Sequence, residues 1–149
     1  MATQEQLRSA GATIADVAAA WQLAYGSWVQ AVQDQHAAVE RAERRIRRAT
    51  GGRSLARWEA VCRRRTIHTV DEAKDKALAL RARPAVAAAV GERDRLAAAL
   101  DAVVLAARIE LAAASRALSR YGTVGACLVG IAPGELARLA RRPRSAISA

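Results

Sequence analysis

The feature best suited to chemistry is a dense group of arginine side chains between residues 41 and 65. Nearby, the chain places only two carboxylates, Glu43 and Glu59. A guanidinium group presents a planar fork of N–H donors that fits a phosphate, and repulsion among so many cations favours an anionic partner. We therefore predict that this arginine cluster binds nucleic-acid phosphates. Its members are Arg41, Arg44, Arg45, Arg47, Arg48, Arg53, Arg57, Arg63, Arg64 and Arg65.

The charge of the whole chain supports the same prediction. It carries 24 Lys and Arg against 14 Asp and Glu, a formal net charge of +10, which favours DNA, RNA or an acidic membrane surface as partner. A simpler interpretation of the cluster stays open, because arginines also stabilise the negative end of a helix dipole. About two or three arginines would suffice for that role.

Residues that could support catalysis or hold a metal are sparse. His36 and His68 are far apart and have no cysteine or carboxylate at ligand spacing, and Cys62 and Cys127 match no zinc pattern. No glycine-rich phosphate loop, nucleophile elbow or paired-acid motif occurs. We expect a protein without enzyme activity, catalytic residues, metal or cofactor, whose cysteines are buried or neutral thiols in a reducing compartment.

A second pattern lies in the stretch TVGACLVGIAPGELARLARR, residues 123–142. A small residue lets a second helix cross closely, a glycine four positions later can take the positive φ that ends a helix, and a proline can start the next helix. Two leucines then face inward. The pattern is carried by Ala126, Gly130, Ile131, Leu136 and Leu139, and Pro133 starts the second helix.

This spacing resembles the helix-turn-helix superfamily of DNA-binding domains, whose second helix enters the major groove. The resemblance implies that Arg138 and Arg141 meet base edges and that Arg142 and Arg144 add phosphate contacts. The other groove-facing positions would be Ala132, Pro133, Gly134 and Ala137, where the superfamily usually has Gln, Asn, Ser or Arg. Weak sequence specificity is therefore expected. The alternative is a helical hairpin that packs on the rest of the protein through Leu128, Ile131, Leu136 and Leu139.

The elements that would position these arginines are helices. Apolar residues recurring by four and three predict a helix at 14–48, started by a Thr13 cap with Asp16. The aromatic residues of its stripe favour a helix–helix seam over a base-stacking platform. The stripe comprises Ile14, Ala18, Trp21, Tyr25, Trp28, Val32, Gln35, Val39, Ala42 and Ile46.

Three more helices follow, at 54–66, 69–82 and 84–120, the first two being either separate or one bent helix. Thr69 and Glu72 form a capping box, and Pro84 pushes the preceding residue out of the helical region. The last helix carries the stripe Val86, Val90, Arg93, Ala97, Leu100, Val104, Ala107, Leu111, Ala114, Leu118 and Tyr121. The predicted buried faces of the two shorter helices are Leu55, Trp58, Val61 and Cys62, and Val70, Ala73, Ala77 and Leu80.

These elements predict an all-α protein: an elongated antiparallel helical bundle or coiled-coil hairpin with a small C-terminal helix-turn-helix-like unit. The predicted domains are a long-helix bundle at 1–121, the small unit at 122–142, and a disordered tail at 143–149. Residues 1–12 are expected to fray. The two long stripes could pair within one chain or between two chains, and their length favours a dimer.

Together these features predict a small basic DNA-binding protein, either a transcriptional regulator or a weakly specific architectural factor. A helical adaptor or assembly protein that binds a protein partner through its apolar stripes is the alternative. The N-terminus lacks an apolar signal core, so we expect a cytoplasmic protein. Membrane binding is less favoured, because the arginines lie at a helix end and turn rather than along one helix face.

Overall fold

The structure, a computed structural model, describes residues 13–144. Within that range all regular structure is helical, which confirms the predicted all-α class. The predicted fraying of residues 1–12 and most of the predicted disordered tail lie outside the described residues. The six helices are α1 (Ile14–Ala49), α2 (Leu55–Arg63), α3 (Val70–Arg81), α4 (Arg83–Ser119), α5 (Thr123–Leu128) and α6 (Pro133–Ala140).

A hydroxyl side chain caps each of the first three helices, as the sequence predicts for Thr13 and Thr69, and Ser54 caps α2. The Thr13 hydroxyl accepts from the Asp16 N–H at 3.3 Å, and the Asp16 carboxylate accepts from the Thr13 N–H at 3.0 Å. The Thr69 hydroxyl accepts from the Glu72 N–H at 3.1 Å. The Glu72 carboxylate, however, bonds the N–H of His68 instead of closing the capping box on Thr69.

The junction between α3 and α4 differs from its prediction. Arg83, which precedes Pro84, is expected outside the helix but is the first residue of α4. Only Ala82 separates the two helices, and its N–H donates to the Leu78 carbonyl while its carbonyl accepts from the Val86 N–H. Pro84 is tolerated there because the N–H it lacks would have no partner in the first turn of a helix.

The contacts divide the chain into two compact units, and the two long helices pass through both. The first unit contains the described residues up to Asp34 and those from Leu100 onward, and the second is Gln35–Ala99. In each unit α1 and α4 pack antiparallel, as Trp21 against Ser115 and Glu43 against Arg93 illustrate. The predicted boundary at residue 121 stays a prediction about domain organisation.

The core of the first unit joins the start of α1, the end of α4, and both α5 and α6. Most predicted stripe residues in it are buried or half-buried, but the two tyrosines, Tyr25 and Tyr121, are exposed. Exposure suits these side chains, because a buried tyrosine hydroxyl group would need a hydrogen-bond partner. The buried members are Val17, Ala18, Trp21, Ala24, Leu111, Ala117, Leu118, Ala126, Leu136 and Leu139.

The core of the second unit is built by α2 and α3 with the adjoining parts of α1 and α4. Its buried members are Trp58, Val61, Cys62, Ala79 and Val86. The predicted face of α2 is confirmed, because Trp58, Val61 and Cys62 are buried and Leu55 packs against them.

The predicted face of α3 is wrong. Val70, Ala73, Ala77 and Leu80 are all exposed, and the helix turns Ala79 inward instead. Its orientation agrees with two contacts made by other elements: the Trp58 indole N–H donates to the Ala79 carbonyl at 3.1 Å, and Arg53 pairs with Asp75.

Candidate nucleic-acid interface

The turn between α5 and α6 has the geometry that its sequence predicts. Gly130 has φ of +74°, and its N–H donates to the Cys127 carbonyl at 3.1 Å. The Ile131 N–H reaches back to the Ala126 carbonyl at 3.2 Å, which completes a Schellman motif. Pro133 then begins α6.

The predicted inward positions of this helical pair are confirmed. Ala126, Leu136 and Leu139 are buried in the core of the first unit, and Ile131 packs against that core. Leu128 is half-exposed, so the hairpin does not pack inward through this residue.

A close contact between α5 and α4 was missed by the sequence prediction. A Cβ atom built on Gly125 would lie 2.4 Å from the backbone oxygen of Leu118, a distance that real Cβ atoms do not reach. Only glycine therefore lets α5 approach α4 this closely. The signal in the sequence is the adjacent pair of small residues, Gly125 and Ala126, which together allow a close helix crossing.

The outward face of α6 is accessible. All six positions that the resemblance places toward a groove are exposed: Ala132, Pro133, Gly134, Ala137, Arg138 and Arg141. Arg142 and Arg144, the predicted phosphate ligands beyond α6, are exposed as well.

One of these arginines already has a partner. The Arg138 guanidinium bonds the Glu135 carboxylate one turn earlier, with Nε 3.0 Å from Oε2. These hydrogen bonds lower the pKa of Glu135 from its ordinary value. A base edge or phosphate would therefore compete with Glu135 for Arg138.

Two arginines of α4 hold the C-terminal end of α6. Arg108 donates to the Leu139 carbonyl at 2.8 Å and to the Arg138 carbonyl at 3.4 Å, and Arg116 donates to the Ala140 carbonyl at 2.9 Å. The last carbonyls of a helix lack intrahelical partners, and a cation there also interacts favourably with the helix dipole. Sequence reasoning missed both residues, because separations of 24 to 31 positions leave no local signal.

The three aromatic residues of α1 differ in burial: Trp21 is buried, Trp28 is half-buried and Tyr25 is exposed. The Trp21 indole N–H donates to the Ser115 hydroxyl at 2.9 Å. The Tyr25 ring stacks on Trp21 with centroids 5.0 Å apart, and the Arg108 guanidinium lies 5.9 Å from the centroid of the Trp28 ring. The seam interpretation is confirmed for Trp21. The pKa of the Arg108 guanidinium is lowered from its ordinary value, chiefly because partial burial disfavours the charged form.

The arginine cluster lies entirely in the second unit. Residues 35–99 hold 16 of the chain's 24 Lys and Arg but only 8 of its 14 Asp and Glu, so most of the excess charge belongs to this unit. Every cluster member is exposed except Arg53, which is half-exposed.

Two members of the cluster form ion pairs with carboxylates far away in sequence. Arg45 pairs with Glu92 of α4, and Arg53 pairs with Asp75 of α3 at 2.6 Å. The Arg53 hydrogen bond lowers the pKa of Asp75 from its ordinary value. Among the described residues, the other eight have no carboxylate within ion-pair distance: Arg41, Arg44, Arg47, Arg48, Arg57, Arg63, Arg64 and Arg65.

The sequence neighbours Glu43 and Glu59 do not neutralise the cluster. Glu43 pairs with Arg93, a stripe residue of α4 that also bonds Asp94. Arg93, the one charged residue in the stripe of α4, is therefore neutralised by two ion pairs.

Other candidate sites add little. The described residues contain no group of three or more His, Cys, Asp and Glu side chains that could hold a metal ion. Cys62 is buried, whereas Cys127 is exposed. Of the helices in residues 13–144, none combines the length and apolar character needed to cross a membrane.

The predicted nucleic-acid ligands thus form two groups in different units: the arginine cluster in the second, and Arg138, Arg141, Arg142 and Arg144 in the first. Comparison with known proteins adds no homologue, since no family model, curated protein or solved structure matches this chain. A functional interpretation therefore rests on the geometry of these residues.

Proposed function

We propose that this protein binds duplex DNA, as a small regulator or a weakly specific architectural factor. The arginine cluster binds phosphates, and α6 enters the major groove with Arg138 and Arg141. Arg142 and Arg144 bind phosphates beside that groove.

The observation that carries the proposal is the group of eight exposed cluster arginines without carboxylate partners among the described residues. Each guanidinium that meets a phosphate releases a condensed counterion from DNA, and this release supplies much of the affinity of basic proteins. A solvated helix end needs far fewer cations than this segment contains.

The two-sided character of α6 supports the second part of the proposal. Leu136 and Leu139 are buried while the opposite face is free, as a recognition helix requires. That face is mostly Ala, Pro and Gly, which can touch a thymine methyl group but cannot bond a base edge through their side chains. Binding with modest sequence preference follows.

A mobility-shift series tests both parts. Replacing Arg138 and Arg141 by alanine should reduce the difference in affinity between duplexes of different sequence. Replacing Arg44 and Arg48 by alanine should weaken binding to all duplexes alike, because phosphate contacts carry no sequence information. If the wild-type protein binds no duplex at low salt, the proposal is wrong.

One observation favours the alternative, a helical adaptor or assembly protein. Leu23 and Val103 are 68% and 54% exposed and, together with Gly26, line an open groove in the first unit. A protein partner, or a second copy in a dimer, would bury these aliphatic side chains. Light scattering on the wild type and on Leu23→Asp distinguishes a second copy from a different protein partner. A dimer formed through this groove should dissociate in the variant.

A further inference from the structure

The segment that connects α2 to α3 is basic, exposed and irregular, yet anchored at both ends. All of residues 63–68, called the basic connection below, are exposed, and 64–68 have no regular structure. At its start, the Arg64 carbonyl accepts a hydrogen bond from the Lys76 ammonium. At its end, the His68 N–H donates to the Glu72 carboxylate at 2.8 Å. Hydrogen bonds therefore hold both ends of the connection, while the side chains between them remain exposed.

Aliphatic side chains are exposed beside three consecutive arginines. Ile67 is 42% exposed, and Val70, at the start of α3, is 70% exposed. Exposed β-branched residues gain stability when a partner removes them from water. Their position beside Arg63–Arg65 indicates a partner that combines negative charge with an apolar slot.

The carboxylates near this segment leave its positive charge largely uncompensated. Glu59, four residues before Arg63, forms no ion pair among the described residues. Glu72 is bound to the His68 N–H, and Asp75 is paired with Arg53, although the Asp75 carboxylate also interacts electrostatically with Arg64. Asp71 lies in the first turn of α3, where the helix dipole favours an anion. No described carboxylate forms an ion pair with Arg63 or Arg65.

We infer that the basic connection enters the minor groove of duplex DNA, with Ile67 against the base pairs and with Arg65 in the groove, while the other unpaired arginines of the cluster bind phosphates. This inference rests on the proposed function. A narrow A·T-rich minor groove has enhanced negative potential that attracts arginine. Minor-groove proteins also insert aliphatic wedges between base steps, a role that suits an isoleucine on an anchored segment.

Two other occupants fit the connection less well. The major groove accepts a helix or a two-stranded ribbon, whereas this connection is a single segment without regular structure. Segments that lie on anionic membranes carry Trp, Phe or Leu along one face. Here the aliphatic pair is small, and acidic Asp71 and Glu72 directly follow Val70.

Base substitution in the DNA isolates the groove. Replacing guanine by inosine removes the 2-amino group from the minor groove and leaves the hydrogen-bonding groups of the major-groove edge unchanged. Filter-binding measurements with the full chain should show tighter binding to a G·C-rich duplex after this replacement. They should also show that the A·T-rich duplex binds more tightly than its unsubstituted G·C-rich counterpart.

Two matched pairs of variants locate the effect. Ile67→Ala should weaken binding to A·T-rich DNA on the order of tenfold, the usual scale for losing one buried aliphatic contact, whereas Leu78→Ala, at an exposed position of α3, should not. Arg65→Ala should abolish the preference for the inosine-substituted duplex. Arg57→Ala should lower the affinity for all duplexes but leave that preference unchanged. Unchanged helical circular dichroism shows that each variant is folded.

Three results would overturn the inference. Duplex binding that is indifferent to inosine and to Ile67→Ala would exclude the minor groove while leaving the proposed function intact. Binding to phosphatidylserine vesicles that Ile67→Ala abolishes, without any such effect on DNA, would assign the connection to a membrane surface. Failure of the wild type to bind any duplex would remove the inference together with the proposed function.

Discussion

At the scale of single residues, stability depends on a few positions where side-chain size or pairing is tightly constrained. Gly125 allows two backbones to meet, and Ser115 gives the buried Trp21 indole its hydrogen-bond partner. The Arg53–Asp75 pair links α3 to the loop that follows α1. Each of these positions can be tested with a conservative substitution.

Gly125→Ala should destabilise the protein. The new methyl group would meet the Leu118 backbone, so α5 must move, at a cost of roughly 1–3 kcal/mol that outweighs the better helix propensity of alanine. Gly26→Ala is the matched control, since its Cβ would meet no atom within 4 Å in the middle of α1. We expect this control to be neutral or to stabilise by up to about 1 kcal/mol. Urea denaturation measures both, and a neutral Gly125→Ala would contradict the close approach.

Asp75 should contribute to acid unfolding. Its pKa is lower in the folded protein than its ordinary value of 3.8, chiefly through the Arg53 hydrogen bond, so the folded state binds fewer protons than the unfolded state. The stabilisation is present above that value and is lost as the pH falls through the lowered pKa. Asp16 and Glu135 shift in the same direction.

The free energy of unfolding should therefore fall less steeply in Asp75→Asn than in the wild type below about pH 4. Urea denaturation at a series of pH values measures the two slopes. Glu59→Gln, at an exposed position of α2 outside any ion pair among the described residues, is the control and should keep the wild-type slope. Identical slopes for the wild type and Asp75→Asn would show that the pair does not contribute.

Local chemistry made several of these residues predictable, and long-range chemistry hid the others. Thr13, Gly130 and Pro133 act within one helical turn, so their roles follow from neighbouring residues. The partners of Arg45 and Arg53 lie in other helices, and no local pattern indicates them. For that reason the sequence overstated the number of unpaired arginines in the cluster.

At the scale of elements, the short helix α6 depends on its neighbours for its position. It has only eight residues and no side-chain cap at its start. An isolated helix of this length is unstable in water, so burial of its leucines and the bonds from Arg108 and Arg116 must hold it. The orientation of the proposed recognition helix thus depends on the shared core and on the hydrogen bonds from α4.

Arg108→Ala should loosen α6 specifically. It removes two hydrogen bonds to the Arg138 and Leu139 carbonyls, and we expect a loss of roughly 1–3 kcal/mol, the range for bonds to a charged group. Hydrogen exchange at the α6 amides should accelerate more than exchange at the α1 amides. Arg95→Ala, also on α4 and exposed, should leave α6 unaffected. Equal acceleration in both helices would instead indicate general destabilisation.

Periodicity predicted the long helices well and the short ones poorly. The apolar repeats of α1 and α4 extend over many turns, so their lengths and inner faces emerge from the pattern. In α3, twelve residues allow several faces, and the one observed matches the contacts of Trp58 and Arg53. The orientation of a short helix therefore depended on residues outside it.

At the scale of the whole molecule, positive charge is unevenly distributed along the chain. The second unit carries most of the excess, whereas the first carries the proposed recognition helix. If both bind one duplex, affinity and sequence preference have separate sources. Added salt should then reduce the affinity for DNA more than it reduces the sequence preference.

Affinity for duplex DNA should fall steeply with salt. If six to eight cluster arginines neutralise phosphates, log K against log salt concentration should have a slope of roughly −5 to −7. The double variant with both Arg44→Ala and Arg48→Ala should have a slope shallower by about 2, because two phosphate contacts are lost. Arg93→Ala should leave it unchanged, because Arg93 is paired with Glu43 and Asp94. A slope near zero would exclude phosphate binding by the cluster.

The distribution of tryptophan gives the chain a built-in optical label for each unit. Trp58 is the single indole of residues 35–99, while Trp21 and Trp28 both belong to the other unit. Replacing either set by phenylalanine would leave fluorescence from one unit alone. Emission recorded during denaturation would then reveal whether two bodies that share the same pair of helices lose their structure in one step or in two.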